Sequence, residues 1–235
     1  AMKLSAEQKI IKARANLIMS SPFFGTLALR MKVEPDDKVK FMSTDGSVLK
    51  YNPKAIDKAP LSKVQGGIAH TVMHPAMLHH TRRGAREVGK WNEACDYAIN
   101  SILDKAGFDL PEGKYVNPQY SGMSAEHIFS LLPEDPNNGN GDGGGSGNSN
   151  DPGGDGGVTD SPNSQNQGAS GSQQQQEEAE WKQALAQAAY AAKQAGKLPG
   201  ELERMLEEIM KPVLPWKDIL RRFMAEKCND DFSWQ

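Results

Sequence analysis

The sequence predicts an α+β fold that is mostly helical and contains a small antiparallel sheet. Apolar residues recur with helical spacing near both ends of the 235-residue chain. Between these ends, two strand-like runs flank Asp45-Gly46, a dipeptide typical of a tight β-hairpin. A long run of small polar residues then divides the chain into a core, a linker and a helical segment that packs back on the core. These three zones are residues 1–133, 134–176 and 177–235.

The first elements are a helix and a strand that precede the hairpin. Ser5 and Gln8 have the spacing of a capping box, which predicts a helix that begins there. We expect this helix to end near Pro22, because proline disrupts the interior of a helix. Residues 27–33 are then predicted to form a strand, and the hairpin follows over residues 39–51.

Helices dominate the rest of the core. Residues 53–60 connect the hairpin to a helix that begins near Ser62. A glycine-containing break at residues 84–89 precedes a helix over residues 91–105, and a short helix follows over residues 124–132.

The linker zone is composed almost wholly of Gly, Asn, Asp, Ser, Pro and Gln. Apart from glycine, its apolar residues are Val158 and Ala169. Such a segment buries too little surface to offset the entropy of ordering it, so we expect a disordered, flexible linker. Helical periodicity returns in the last zone, over residues 177–195, 201–210 and 216–227.

Composition excludes several classes of function. A net charge of −3 gives no electrostatic reason to bind nucleic acid or a membrane surface. No apolar run reaches the roughly 18–20 residues that span a bilayer. Two cysteines are too few for a disulfide framework. We therefore expect a cytoplasmic protein of a bacterium or phage that contacts neither nucleic acid nor membrane.

The histidines are the candidate metal ligands. Four of the five lie between residues 70 and 80, and His70 and His74 are four apart on a predicted helix. Residues at that spacing lie about 40° apart around the helix axis, so both imidazoles can reach one ion. Zinc accepts such nitrogens, and a catalytic zinc also needs a third protein ligand and an open position for water. The pair therefore predicts a Zn²⁺ site.

Three residues compete as the third ligand. Asp96 is our first choice, Glu93 lies three residues earlier on the same predicted helix, and His80 has the H-x3-H-x5-H spacing of metzincins. If the histidine helix ran on, His80 would point about 80° away from His70, and His79 would point nearly opposite to the ligand face. We therefore expect His79 to be solvent-exposed or structural. Pro75 should clash with the carbonyl of Thr71, which predicts either a kink just after His74 or a local widening of the helix that absorbs the clash.

Thr71 is the residue that decides the predicted activity. In H-E-x-x-H peptidases the glutamate at this position takes the proton from zinc-bound water. Threonine has no suitable pKa for that role, so the sequence favours metal binding over catalysis. An alternative base could be another carboxylate, Glu93 or Glu87.

Several separated motifs resemble a metallopeptidase domain family found N-terminal to von Willebrand A-like domains in bacterial and phage proteins. The matching runs are GIAHTVMH at 67–74, LHHTRR at 78–83, WNEACDYAIN at 91–100, GFDLP at 107–111, GMSAE at 122–126, AGKLPG at 195–200, PW at 215–216, RRF at 221–223 and DFSW at 231–234. They occur in the family's order and span nearly the whole chain apart from the linker.

The resemblance implies a zincin-like metallopeptidase fold and a specific ligand set. It implies that His70, His74 and Asp96 bind the metal, since the pattern W-N-x-A-x-D carries over Asp96 and not Glu93. It also implies a glutamate at position 71, from which this chain departs. Relatives continue into a von Willebrand A-like domain and are associated with MoxR-type AAA ATPases, so such an ATPase is a possible partner.

Three hypotheses follow from the sequence. The first is a zinc-binding pseudo-enzyme that recognises a peptide or protein. The second is an active zinc metallopeptidase that uses another carboxylate as general base. The third is a structural domain whose histidines bind no metal.

Overall fold

The computed structural model describes residues 4–110, 115–133, 157–159 and 171–198, together with 200, 202–204 and 206. Within these residues the chain is mostly helical with one small sheet, which confirms the predicted α+β class. The helices are α1 (Ala6–Ser20), α2 (Pro22–Arg30), α3 (Pro53–Lys58), α4 (Leu61–Ala76), α5 (His79–Arg82), α6 (Val88–Lys105), α7 (Ala125–Leu131) and α8 (Gly171–Gln194). The strands are β1 (Lys32–Pro35), β2 (Met42–Thr44), β3 (Val48–Tyr51) and β4 (Gly157–Val158). None of the helices in the described ranges is both long and apolar enough to cross a membrane.

The sheet is mixed, whereas the sequence predicted an antiparallel one. Its strand order is β1-β3-β2-β4. The predicted hairpin forms the antiparallel centre, with Asp45-Gly46 in its turn. β1 and β4 add on either side as parallel neighbours. Parallel pairing joins segments that are distant in sequence, so no turn motif in the sequence predicts it.

The predicted strand at residues 27–33 is wrong for most of its length. Pro22 occupies the first turn of α2, where its missing N–H has no partner to lose, so it begins a helix after the first one ends. Phe23, Leu27 and Ala28 then bury one face of α2. The capping box of Ser5 and Gln8 is present as predicted.

α4 is the centre of the molecule. Every residue from Gly66 to Ala76 is buried, and the helix packs against α1, α2, α6, α8 and β2. Two glycines allow this close packing. A Cβ added at Gly66 would collide with the carbonyl oxygen of Asp109, and one added at Gly67 would lie 2.6 Å from the Phe41 ring.

The end of α4 redirects the chain. The helix continues through Pro75 and ends at Ala76, with Met77 as its C-cap. Leu78 then adopts a left-handed conformation with φ of 58°, which is uncommon for a residue other than glycine. A new helix, α5, begins at His79. The helix therefore does not end just after His74, and a complete break follows Pro75 at Met77 and Leu78.

α8 begins earlier than predicted and attaches to the core. The expected linker included Gly171–Gln176, but these residues form the first turns of α8, and glutamine is a good helix former. The Trp181 indole donates a hydrogen bond to the carbonyl oxygen of Gly46 (3.2 Å), and α8 packs on α2 and α4. Gly157 and Val158, also in the expected linker, form β4. The remainder of that segment, and the predicted helix over residues 216–227, lie outside the described residues.

Candidate metal centre

His70 and His74 project from successive turns of α4 toward the same point. Their Nε2 atoms lie 3.0 Å apart, and the side chains are almost inaccessible to solvent. Two imidazole nitrogens stay this close only if they share a proton or a cation. The i,i+4 spacing therefore places the two rings as the sequence predicted.

Asp96 approaches the pair from α6. Its Oδ1 atom lies 3.3 Å from His70 Nε2 and 3.5 Å from His74 Nε2. In a tetrahedral zinc site with ligands about 2.0–2.1 Å from the metal, neighbouring ligand atoms lie roughly 3.3–3.4 Å apart. The three atoms therefore match one face of such a site in size, and they form one of the candidate metal-binding groups in the described chain.

The electrostatics of Asp96 also fit a cation. Burial raises the pKa of its carboxyl, whereas hydrogen bonds and positive charge from His70 and His74 lower it by more, and a bound cation would favour the ionised form in the same way. Its buried Oδ1 atom has no hydrogen-bond partner among the described atoms. A buried anionic oxygen without a donor is costly, and a metal ion would satisfy it. The donor set thus suits a divalent metal.

Asn100 fixes the orientation of His70. Its Oδ1 atom lies 2.8 Å from His70 Nδ1 and can only accept, so Nδ1 carries the proton and Nε2 keeps its lone pair for a metal. Asn100 lies one turn after Asp96 on α6, and it is buried. Sequence analysis missed this residue, although its i,i+4 spacing from Asp96 was visible.

His79 does not point away from the site as predicted. It is 1% exposed, and its Nδ1 lies 3.3 Å from His74 Nδ1. The left-handed Leu78 ends the helix on which that prediction depended, and the new start turns His79 back toward α4. Burial, followed by the neighbouring His74, lowers the pKa of His79 well below its usual value. A neutral His79 can accept a hydrogen bond at Nδ1 from the Nδ1–H of His74, which leaves His74 Nε2 free as a ligand.

A second group of potential ligands shares His74 with the first. It consists of His74, His79 and Cys95, all buried, with their ligand atoms within 4.8 Å of one another. Burial raises the pKa of the Cys95 thiol well above its ordinary value. A protonated thiol is a poor metal ligand, so the chemistry favours the group that contains Asp96.

His80, the alternative third ligand, lies elsewhere. Its Nε2 atom is 3.0 Å from Glu177 Oε1 on α8, and its ring packs against Gly46 in the hairpin turn. The histidine after Leu78 that reaches the pair is therefore His79, one residue earlier than the metzincin spacing predicts. Neither His80 nor Glu93 belongs to a candidate metal-binding group in the described part of the chain.

The hydroxyl of Thr71 is hydrogen-bonded to its own helix. Thr71 is fully buried, and its hydroxyl donates a hydrogen bond to the carbonyl oxygen of Gly67 at 2.8 Å. The two alternative carboxylates have other contacts. Glu87 caps α6 by accepting from the backbone N–H groups of Gly89 and Lys90. Glu93 is close enough to Tyr97 that its charge, after burial, raises the pKa of that phenol.

Comparison with known proteins places the chain in a family. It is 33% identical over 140 residues to an uncharacterized protein of Thermotoga maritima, an alignment that covers 56% of this chain and 35% of the relative. The chain thus spans about a third of the length of that relative. No solved structure matches. A family described as "Putative metallopeptidase domain" matches residues 5–235, and the chain therefore belongs to this family.

Proposed function

We propose that this chain is a zinc-binding, metallopeptidase-like domain that binds a peptide or protein and has lost most or all hydrolytic activity. The observation that carries the proposal is the triangle of His70 Nε2, His74 Nε2 and Asp96 Oδ1, with edges of 3.0, 3.3 and 3.5 Å. Nitrogen and carboxylate ligands of this kind suit zinc.

The chain's own residues prepare the site for the ion. Asn100 and His79 hold the two imidazoles in the tautomers that present Nε2, and Asp96 contributes one negative charge. A bound zinc ion would supply Lewis acidity and lower the pKa of a water in its open position. Hydrolysis would further require a base that accepts the proton of that water.

Thr71 occupies the position at which H-E-x-x-H peptidases have the base. The hydroxyl of Thr71 hydrogen-bonds to Gly67, and Glu87 and Glu93 contact other groups. These contacts disfavour the alternative of an active peptidase with a substitute carboxylate. A positioned general base typically contributes about 10²–10⁴ in rate, so we expect peptide binding to persist without efficient cleavage. Interaction with a MoxR-type AAA ATPase remains a proposal from the family resemblance.

Metal analysis of the purified protein tests the proposal. Protein prepared without added zinc or a histidine tag should contain about one zinc per chain, because the site offers three ligands. The double variant His70→Ala/His74→Ala should lose the metal. His127→Ala is a matched control, because His127 is exposed and belongs to neither candidate metal-binding group in the described residues. Equal metal content in parent and double variant would refute the assignment.

A further inference from the structure

The strand β4 comes from the segment of small polar residues and occupies the outer edge of β2. Ser43 pairs with Gly157 and Thr44 with Val158, in parallel. The backbone N–H of Thr159 donates to the carbonyl oxygen of Thr44 at 2.9 Å. This short stretch therefore satisfies the edge of β2 by strand addition, the way in which many proteins bind extended peptides.

The strand β2 packs against α4, the helix that carries two of the candidate metal ligands. Met42, at the start of β2, lies against Gly67 of α4, and Gly46, just after β2, lies against His80 beyond the end of α4. At about 100° per residue, Gly67 shares its helix face with His74 and lies about 60° from His70. β2 therefore packs on the helix that carries both histidines, and β4 also contacts α4.

Among the described residues, β4 attaches to this edge through the buried side chain of Val158, and the Thr159 hydroxyl donates to the carbonyl oxygen of Thr44 at 3.5 Å. Val158 is 4% exposed, whereas the side chain of Thr159 is exposed and Gly157 has none. Among the described residues, two pairs join β4 to β2, and the residues on either side of 157–159 lie outside the described ranges.

We propose that the outer edge of β2, over Met42–Thr44, is the binding site for an extended peptide, and that residues 157–159 occupy it as an internal ligand. The occupant runs parallel to β2 and places a β-branched apolar side chain at the Val158 position, next to small residues. This inference rests on the proposed function, because it names the peptide-binding surface of that site. The opposite edge, β1, pairs with β3 and lies two strands away from β2.

A peptide that copies the internal strand tests the proposal. The probe is a fluorescein-labelled heptapeptide, DGGVTDS, with the sequence of residues 155–161. The full-length parent should bind it weakly, because the edge is occupied. Val158→Asp places a charge in a buried position and should free the edge, so affinity for the probe should rise at least tenfold. Thr159→Ser is the matched control and should behave as the parent, because that side chain is exposed and its backbone hydrogen bond remains.

Three further measurements keep the test decisive. A probe with aspartate in place of its valine should bind none of the proteins. Hydrogen exchange should show the Thr159 amide protected in the parent and unprotected in Val158→Asp. Val158→Ala, a milder change, should give intermediate affinity if Val158→Asp unfolds. Equal affinity in parent and both Val158 variants, or no binding once the Thr159 amide is exposed, would overturn the proposal.

Metal content separates this inference from the proposed function. Zinc measured in the same preparations should be equal in parent, Val158→Asp and Thr159→Ser, because residues 157–159 supply no candidate ligand. Tighter probe binding by Val158→Asp in protein that holds no zinc would support the edge site and refute the metal assignment. Full zinc content with equal probe affinity in all three proteins would support the metal assignment and refute the edge site.

Discussion

The two histidine pairs between residues 70 and 80 have different positions in the structure. His70 and His74 lie within α4, and helical spacing alone brings their Nε2 atoms to 3.0 Å. His79 and His80 follow the break at Leu78; one returns to contact His74 and the other pairs with Glu177 on α8. All four side chains are buried. Helical geometry is thus a sound guide to histidine positions inside one helix and fails once a single residue leaves the helical region.

The largest expected effect concerns the residue between the first pair. Thr71→Glu restores the H-E-x-x-H arrangement and should raise chelator-sensitive peptide hydrolysis by about 10²–10⁴ if the site is otherwise competent. The measurement is cleavage of an unfolded protein substrate with and without chelator. Thr71→Gln is the matched control, because it has the same size as glutamate without a basic carboxylate. Chelator-sensitive cleavage by the unaltered chain would show that another group serves as base.

An effect of intermediate size is expected from the second pair, in which His79 and His80 can be compared directly. His79→Gln should weaken zinc binding by about 10–100-fold, the usual effect of removing a partner that orients a metal ligand. His80→Gln should leave zinc affinity within about twofold, because His80 contacts Glu177 and not the candidate ligands. Competition with a chromophoric chelator measures both. Both histidines are 1% exposed, so a general effect of altering a buried histidine would appear equally in the two variants. Equal losses would remove the role that we assign to His79.

The smallest expected effect is a dependence of stability on pH. The folded-state pKa of His79 is lowered, chiefly by burial, so below about pH 6.5 the unfolded chain binds a proton that the folded chain does not. Stability of the chelator-treated protein should therefore be fully present above that pH and fall as the pH decreases, by at most about 1.4 kcal/mol per pH unit from this group. Urea unfolding of parent and His79→Gln between pH 5 and pH 7.5 measures it. His79→Gln should lose the part of the pH dependence of unfolding that comes from His79. His127→Gln, which changes an exposed histidine, should retain it.

The sequence was informative where the signal was local. The capping box at Ser5, the Asp45-Gly46 hairpin and the spacing of His70 and His74 each depend on neighbouring residues, and all are present in the structure. Asp96 was chosen from the next helix and lies beside the pair, although its role as a ligand remains a prediction.

The sequence was misleading where tertiary contacts decide the conformation. Leu78 adopts a left-handed conformation that leucine disfavours, and nothing in its neighbours predicts it. The helix over residues 22–30 was predicted partly as strand, because apolar residues there fit either period. Val158 was assigned to a linker on composition, and its pairing with Thr44 joins residues more than a hundred positions apart.

The missing side chain of Gly67 has a thermodynamic consequence. Because Gly67 has no side chain, Phe41 and Met42 lie directly against the turn of α4 that precedes His70. The sheet and the helix that carries the two histidines therefore pack against each other at this point. An occupant of the β2 edge and an ion on α4 would therefore bind to two elements that are in direct contact. Any factor by which the ion changes affinity for the peptide must equal the factor by which the peptide changes affinity for the ion. Gly67→Ala, which adds a methyl group to that contact, is the change that would alter this reciprocal factor without removing a ligand at either site.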